Sequence, residues 1–238
     1  MATESLAEVL EQAFVTCRSL DAPLATRLQT FAGEVRRVSP QFAEAVDRLV
    51  ERLAAGDAGH TAPKPGEPMP PFVLPDDKAQ LVSLERLLEK GPVAISFHRG
   101  YWCPYCRINA DALSRAHDEV SGLGCQIVAV TPDTQKYASG LKQESGAPFP
   151  ILTDMDNGYA MSLDLAIWVG EEMRSLMAAS GFDPGISQGS ADWMLPIPAT
   201  FVVGTDGIVK ARFVDPDYRK RMEIDDLVEA LRDARRAG

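Results

Sequence analysis

The 238-residue sequence contains only four cysteines and three histidines, and its acidic residues outnumber its basic ones. Four cysteines in a chain of this length exclude the dense disulfide framework of a small secreted domain. The formal net charge of −10 argues against nucleic acid or an anionic membrane as a partner, because both select basic surfaces. No apolar run approaches the length of a membrane span, and residues 1–11 lack the pattern of a signal peptide. We therefore expect a cytoplasmic protein.

One stretch of the sequence combines a buried strand with a helix that opens on two cysteines. Val93–Phe97 is a short run of apolar and β-branched residues, which favours a central parallel strand. Pro104 is typical of the first turn of a helix, where its missing N–H leaves no hydrogen bond unmade. Cys103 would then lie at the positive end of that helix, with Cys106 one turn further along.

The spacing of these two cysteines favours redox chemistry. Side chains at positions i and i+3 of a helix lie about 5–6 Å apart, so a disulfide can close with little backbone movement. A helix N-terminus stabilises an anion and can lower the pKa of a thiol to ~3.5–7.5. We interpret Cys103 as the nucleophile and Cys106 as the resolving thiol.

The ten residues from Phe97 to Cys106, which include Trp-Cys-Pro-Tyr-Cys, resemble the peroxiredoxin-like (AhpC/TSA) family of the thioredoxin superfamily. Pro70–Asp76 and Val82–Leu84 upstream and Pro198–Val203 downstream resemble two further motifs of that family, in the expected order. The resemblance extends from about Pro65 to the C-terminus. It implies an α/β protein with a thioredoxin-like fold, in which helices flank a central mixed sheet.

The composition allows one globular domain and an extension. We predict an all-helical extension over residues 1–58, a Pro- and Gly-rich linker over 59–71, and the thioredoxin-like redox domain over 72–238. Apolar residues recur at helical spacing in three segments of the extension, Leu6–Cys17, Leu24–Val38 and Phe42–Leu53. Their apolar faces must pack against the redox domain, each other or another subunit. The linker suggests that they are separate from the redox domain's own core, and a homodimer through these helices is one expectation.

Within the redox domain, strand and helix signals alternate, as expected for a sheet with parallel strands. The predicted elements are a short hairpin around Asp76-Asp77, a helix capped by Ser83, strands at Cys125–Thr131 and Phe149–Leu152, helices at Asp133–Ser145 and Glu171–Ala179, a long loop at Gly181–Ser190, a hairpin from Thr200 to Phe213, and a closing helix at Glu223–Ala234.

The cysteine pair also has less specific interpretations. A structural zinc site needs two further ligands at suitable spacing, but Cys17, Cys125 and the histidines form no second close pair. The other alternative is a pair of unreactive buried thiols. The aromatic neighbours of the pair argue against it, because they indicate a surface groove. Cys17 and Cys125 themselves are typical of small core residues, although Cys17 could serve as a distant resolving thiol. We expect no metal and no cofactor.

Five residues near the pair are candidates for contacting a substrate. Trp102 and Tyr105 flank the cysteines, and a cationic Arg99 or Arg107 could lower the pKa of Cys103 further, unless each is an ordinary solvated arginine. In thioredoxin-like folds a cis-proline faces the cysteine pair. The resemblance therefore implies that Pro198 is cis, whereas a trans proline at the start of a strand is the general alternative.

The resemblance implies a thiol-dependent enzyme that reduces hydroperoxides through Cys103, with a thiol reductant such as thioredoxin or glutathione as partner. Typical peroxiredoxins, however, carry threonine and proline three and seven residues before the attacking cysteine, where this sequence has Gly100 and Ser96. Pro198 also replaces the arginine usual on the later hairpin strand. These departures favour a dithiol–disulfide exchange site acting on protein or small-molecule disulfides as the alternative. A non-enzymatic interaction module is a third interpretation.

Overall fold

The computed structural model describes residues 6–237, so the first five residues of the predicted extension and the last residue of the chain lie outside it. The helices are α1 (Leu6–Ser19), α2 (Leu24–Val38), α3 (Pro40–Ala55), α4 (Leu84–Leu88), α5 (Pro104–Gly122), α6 (Gln135–Ser145), α7 (Gly158–Ser162), α8 (Glu171–Ala179), α9 (Pro184–Gln188) and α10 (Ile224–Ala237). The strands are β1 (Val73–Pro75), β2 (Leu81–Ser83), β3 (Val93–Phe97), β4 (Gln126–Thr131), β5 (Ile151–Thr153), β6 (Ala166–Trp168), β7 (Met194–Pro196), β8 (Ala199–Val203) and β9 (Val209–Val214). Over this described range, no helix is both long and apolar enough to cross a bilayer.

The central sheet has five strands in the order β5-β4-β3-β8-β9. Strand β3 pairs in parallel with β4, where Ile95 lies opposite Val128, and antiparallel with β8, where Ile95 lies opposite Phe201. All five residues of β3 are buried, as the continuous apolar run predicts. The mixed sheet with helices on both faces confirms the predicted fold class.

The pleat of the sheet sends alternate side chains into two different cores. Val93, Ile95 and Phe97 pack on the face covered by α4, α7 and the hairpin β1–β2. Ala94 packs on the opposite face, under α5, α6 and α10. Helix α5 packs against the sheet through Ala110, Leu113 and Val120, and its N-terminus follows the carboxyl end of β3.

Most of the predicted elements form within a few residues of the expected limits. The side chain of Ser83 caps α4 by accepting a hydrogen bond from the backbone N–H of Arg86 at 3.3 Å, which confirms the cap signal. The expected long loop at Gly181–Ser190 is instead interrupted by α9, whose Asp183 cap accepts from the N–H of Gly185. Strands β6 and β7, which pair antiparallel outside the central sheet, were not predicted.

The N-terminal helices pack on the N-terminal half of α5 through α1 and α2, and α3 packs on α2 and α8. They form one apolar cluster with the helix that carries the cysteines, and its members include Phe14, Leu28, Phe31, Val46, Leu49, Cys103, Tyr105, Cys106 and Ile108. None of the described residues of α1, α2 and α3 belongs to either of the two cores on the faces of the sheet. The extension shares with the redox domain the apolar cluster around the first half of α5.

A buried ion-pair cluster on α5 holds the extension in place. The carboxylate of Asp111 pairs with Arg18 at 3.1 Å and with Arg27 at 2.9 Å, both from the extension, and with Arg115 at 2.9 Å. Arg27 and Asp111 are both buried, and Arg27 also donates to the carbonyl oxygen of Cys17. Removing Asp111 would leave the buried guanidinium of Arg27 without a carboxylate, so this pair fixes how the extension sits on α5.

The predicted linker is itself attached to the edge of the sheet. The N–H of Gly66 donates to the carbonyl of Val209 at 2.9 Å, and the N–H of Val209 donates to the carbonyl of Glu67 at 2.9 Å. Arg212 donates to the carbonyl of Ala62. These bonds fix the path of the chain between the extension and the sheet.

Candidate active site

The cysteine pair lies in the connection between β3 and α5. Gly100 has φ of +140°, a conformation that L side chains rarely adopt, and a Cβ atom there would lie 2.5 Å from Nε1 of Trp102 and 2.9 Å from Oδ1 of Asp133. The N–H of Tyr101 donates to Oδ2 of Asp133 at 2.6 Å. The tight turn explains why position 100 holds glycine rather than the threonine of typical peroxiredoxins.

Cys103 is the N-cap residue of α5, and Pro104 occupies the first turn as the sequence predicts. The carbonyl oxygen of Cys103 accepts hydrogen bonds from the N–H of Cys106 at 3.0 Å and from the N–H of Arg107 at 3.1 Å. The Cys103 sulfur therefore sits at the positive end of a 19-residue helix. Both thiols are reduced and almost completely buried, with Cys103 1% and Cys106 0% exposed.

Two arginines surround the sulfur atoms. Sγ of Cys106 accepts from the backbone N–H of Arg99 at 3.2 Å and from Nη2 of Arg221 at 3.3 Å. The guanidinium of Arg99 lies over the ring of Tyr218, 3.7 Å from its centroid, and 5.1 Å from the centroid of Trp102. Because both arginines are buried, their charges act on the sulfurs with little solvent screening.

The two thiols have very different acidities. Burial by itself raises the pKa of Cys103, but the hydrogen bond from the Cys106 thiol and the charges of Arg99 and Arg221 outweigh it and lower the pKa to about 6. Burial and the neighbouring Cys103 raise the pKa of Cys106 well above its ordinary value. At neutral pH the site therefore holds a Cys103 thiolate that accepts a hydrogen bond from a Cys106 thiol.

A cavity of about 140 Å³ gives access to Cys103. Its walls come from three parts of the chain. The site loop supplies Arg99, Trp102, Cys103, Pro104 and Tyr105; the extension supplies Leu10, Phe31, Val35, Ser39 and Phe42; and the remainder comes from Met177, Ser180, Phe182 and Tyr218. The groove expected from the aromatic neighbours is thus a covered and largely apolar pocket.

The structure places three of the five predicted contact residues at this pocket and two away from it. Trp102, Tyr105 and Arg99 line it. Arg107 instead pairs with Glu144 at 2.7 Å and with Glu11 at 3.2 Å. The main charges that lower the pKa of Cys103 are those of Arg99 and Arg221, so the activating role falls to them, and Arg107, paired with two carboxylates, is not a solvated arginine either.

Pro198 lies outside the pocket lining, between β7 and β8. No peptide bond between residues 6 and 237 is cis, so the expected cis bond before Pro198 is wrong. The chain continues almost directly from Pro196 to Ala199 in two successive strands, an extended path that a trans bond follows.

Several residues of the site do not follow from the sequence pattern. Arg221, from the segment between β9 and α10, donates to Sγ of Cys106 and is one of the charges that lower the pKa of Cys103. Behind the cysteines, Nδ2 of Asn109 donates to Nε2 of His98 at 3.1 Å and to Oγ of Ser96 at 3.3 Å. Burial and Arg221 lower the pKa of His98 to about 3, so this histidine is neutral. Ser96, which stands where typical peroxiredoxins have proline, belongs to this buried polar cluster.

The remaining two cysteines are free thiols that do not line the pocket. Cys17 packs in the apolar cluster of the extension, and Cys125 lies against α10, with its thiol directed to the carbonyl of Leu231 at 3.6 Å. Burial raises the pKa of both thiols, Cys17 and Cys125. Within residues 6–237, no three His, Cys, Asp or Glu side chains converge as metal ligands.

Comparison with known families agrees with the resemblance of the motifs. The sequence model of the AhpC/TSA family matches residues 65–212. The chain belongs to the AhpC/TSA family. The matched region includes the cysteine pair and most of the sheet, while the N-terminal helices and α10 lie outside it.

Individual proteins show the same relationship. A Coxiella burnetii protein named as a candidate peroxiredoxin, bcp, is 29% identical over 92 residues, which cover 39% of this chain and 60% of that protein. Peroxidoxin BcpB from Mycobacterium tuberculosis superimposes with a TM-score of 0.56 at 20% identity, over 72% of this chain and 97% of that one. A candidate protein disulfide isomerase from Bacteroides thetaiotaomicron superimposes with a TM-score of 0.52 at 14% identity, over 73% and 91%. These likenesses confirm the thioredoxin-like fold, which serves more than one chemistry.

Proposed function

We propose that this AhpC/TSA protein is a thiol-dependent oxidoreductase that reduces hydroperoxides. The observation that carries the proposal is the pair of opposite pKa shifts at Cys103 and Cys106 beside a pocket that opens onto Cys103. A thiolate is the form that attacks a peroxide, and the neighbouring protonated thiol is the form that resolves the product.

In the first step, the Cys103 thiolate attacks the peroxide oxygen that carries the proton, and the O–O bond breaks. Cys103 becomes a sulfenic acid, and the substrate leaves as an alkoxide that takes up a proton and becomes the alcohol. The guanidinium of Arg99, which lines the pocket, is placed to stabilise the negative charge that develops on the leaving oxygen. This arginine supplies the polarising group that the departures from the usual motif seemed to remove.

In the second step, the sulfur of Cys106 attacks the sulfur of the Cys103 sulfenic acid, and water leaves as the disulfide forms. Cys106 is one helical turn away and already hydrogen-bonds to Cys103. Its proton must leave as it reacts, and the hydrogen bonds from Arg99 and Arg221 stabilise the thiolate that forms. Two molecules of a thiol such as glutathione, or an external dithiol of the thioredoxin type once the helical extension has moved, then return both cysteines to thiols by exchange.

Disulfide exchange is the second candidate function, because the same cysteine pair can attack a disulfide. The burial of Cys103 separates the two candidates, since a protein disulfide must contact the attacking sulfur directly. A small hydroperoxide enters the pocket as it stands, whereas a protein disulfide requires the helical extension to move. The low pKa of Cys103 also counts against a purely structural role as an interaction module.

The proposal is tested by mixing reduced protein with a hydroperoxide and, separately, with an oxidised protein disulfide, and by following loss of free thiol. We expect loss of two thiols per chain with the hydroperoxide and a rate at least tenfold slower with the protein disulfide. Faster loss with the protein disulfide would establish the exchange function instead.

A further inference from the structure

The pocket above Cys103 has one wall that lies outside the region shared with the family. Leu10, Phe31, Val35 and Phe42 belong to α1, α2 and α3, whereas the family match starts at residue 65. Other lining residues, which include Trp102, Tyr105 and Tyr218, belong to the redox domain. The shape of the space in front of the reactive sulfur is therefore set jointly by the extension and the site loop.

The extension wall is fixed in position by ring contacts among the lining residues and by an ion pair outside the lining. The ring of Phe31 meets that of Tyr105 edge to face with centroids 5.1 Å apart, and Tyr105 meets Tyr218 in the same way at 5.5 Å. The ion pair between Arg27 and Asp111 joins the same helix, α2, to α5. An aromatic chain and a buried ion pair thus hold α2 at a set distance from Cys103.

The chemistry of the lining indicates what the pocket accepts. Apart from the guanidinium of Arg99 and the sulfur of Cys103, most side chains that line it are apolar or aromatic, and Ser39 and Ser180 are partly or fully exposed. Its volume of about 140 Å³ is close to the roughly 150 Å³ of an apolar protein cavity that accepts benzene. Hydrogen peroxide would leave most of this apolar surface without a partner.

We propose that Phe31, Val35 and Phe42 of the helical extension are specificity-determining residues, which select hydroperoxides with a compact apolar substituent, of phenyl or branched-alkyl size. The O–O group then lies between Arg99 and Cys103, and the substituent lies against the extension wall. This inference rests on the proposed peroxidase function and adds to it the substrate class and the residues that select it.

The decisive variant fills the pocket from the extension side. Val35 lines the pocket and is only partly buried, so Val35→Phe adds bulk without replacing a fully buried side chain. Val15→Phe is the matched control, because Val15 lies in the same extension, is 49% exposed and does not line the pocket. The measured quantity is the ratio of second-order rates of thiol loss with cumene hydroperoxide and with hydrogen peroxide.

We expect this ratio to fall at least tenfold in Val35→Phe and to stay within twofold of wild type in Val15→Phe, since loss of fit in an apolar pocket typically costs roughly 10-fold or more. An unchanged ratio in a Val35→Phe protein with wild-type circular dichroism overturns the inference. If Val35→Phe does not fold, Val35→Thr, which keeps the shape but adds a hydroxyl, must lower the ratio about threefold; no change there also overturns it.

A binding measurement separates this inference from the proposed function. The product alcohol of cumene hydroperoxide, 2-phenyl-2-propanol, should protect Cys103 from alkylation by iodoacetamide in wild type, and at least fivefold less in Val35→Phe. Absence of protection in wild type overturns the inference even if the protein reduces peroxides. Protection without any reaction towards peroxides would contradict the peroxidase proposal and leave the apolar selectivity of the pocket established.

Discussion

The redox domain and the helical extension contribute to the same site in different ways. The loop from Arg99 to Cys106 holds the reacting sulfurs and the hydrogen bonds and charge that set their acidity. The extension contributes no reacting group, but its helices cover Cys103 and form one side of the pocket. The groups that lower the pKa of Cys103 all come from the redox domain, whereas both regions control access to it. Substitutions that change the pocket wall in the extension should therefore alter access more than acidity.

The largest expected effects come from replacing the two reacting cysteines. Cys103→Ser removes the thiolate, and we expect peroxide-dependent thiol loss to fall more than a thousandfold. Cys106→Ser should leave the first oxidation step within about tenfold of wild type, because serine can still donate a hydrogen bond to Cys103, and should abolish the disulfide. Stopped-flow thiol oxidation and non-reducing mass mapping measure both. A disulfide that persists in either variant through Cys17 or Cys125 would refute the assignment.

The next largest effect concerns the attachment of the extension. Asp111→Ala leaves the buried guanidinium of Arg27 without its carboxylate, and we expect the free energy of unfolding to fall by about 3–5 kcal/mol. Arg115→Ala removes a half-exposed partner of the same carboxylate and should cost less than about 1 kcal/mol. Urea denaturation of both variants makes the comparison. Equal losses would mean that the buried pair does not hold the extension.

The pH dependence of Cys103 is the third prediction. The pKa of this thiol is lowered to about 6, so its thiolate is lost as the pH falls through that value and is fully present above about pH 7. The alkylation rate with iodoacetamide should therefore rise through a midpoint near pH 6 and then level off. A rate that still rises through pH 8 would show an ordinary thiol.

The smallest expected effect comes from removing one of the charges that lower the pKa of Cys103. Arg221→Met removes one of two nearby charges, and we expect the alkylation midpoint to rise by about one pH unit while Arg99 remains. Arg107→Met is the matched control, because that guanidinium pairs with Glu144, whereas Arg99 and Arg221 are the main charges that lower the pKa of Cys103. The alkylation rate of both variants is measured over the same pH range. A larger shift of the midpoint in Arg107→Met than in Arg221→Met would contradict the geometry.

Local signals account for what the sequence could predict. Strand β3 follows from an unbroken apolar run, the start of α5 from Pro104, and α4 from the Ser83 cap, because each depends on neighbouring residues only. The placement of Cys103 at a helix N-terminus follows from the same signals. These elements fix the fold and the position of the cysteine pair.

The features that the sequence did not predict depend on distant contacts. Arg221 lies 115 residues from the sulfur it contacts, and no local pattern marks it. Helical periodicity shows that α2 has an apolar face, but it cannot show that Phe31 of this face meets Tyr105. Strands β6 and β7, with three residues each, are too short to display alternation.

The most direct test of the central claim is to trap the first oxidation product. Reduced Cys106→Ser protein is treated with one equivalent of cumene hydroperoxide in the presence of dimedone, which labels sulfenic acids, and the labelled peptide is identified by mass spectrometry. We expect a single label on Cys103 and the formation of one equivalent of the product alcohol. A label on Cys17 or Cys125, or alcohol formation without any label on Cys103, would contradict it.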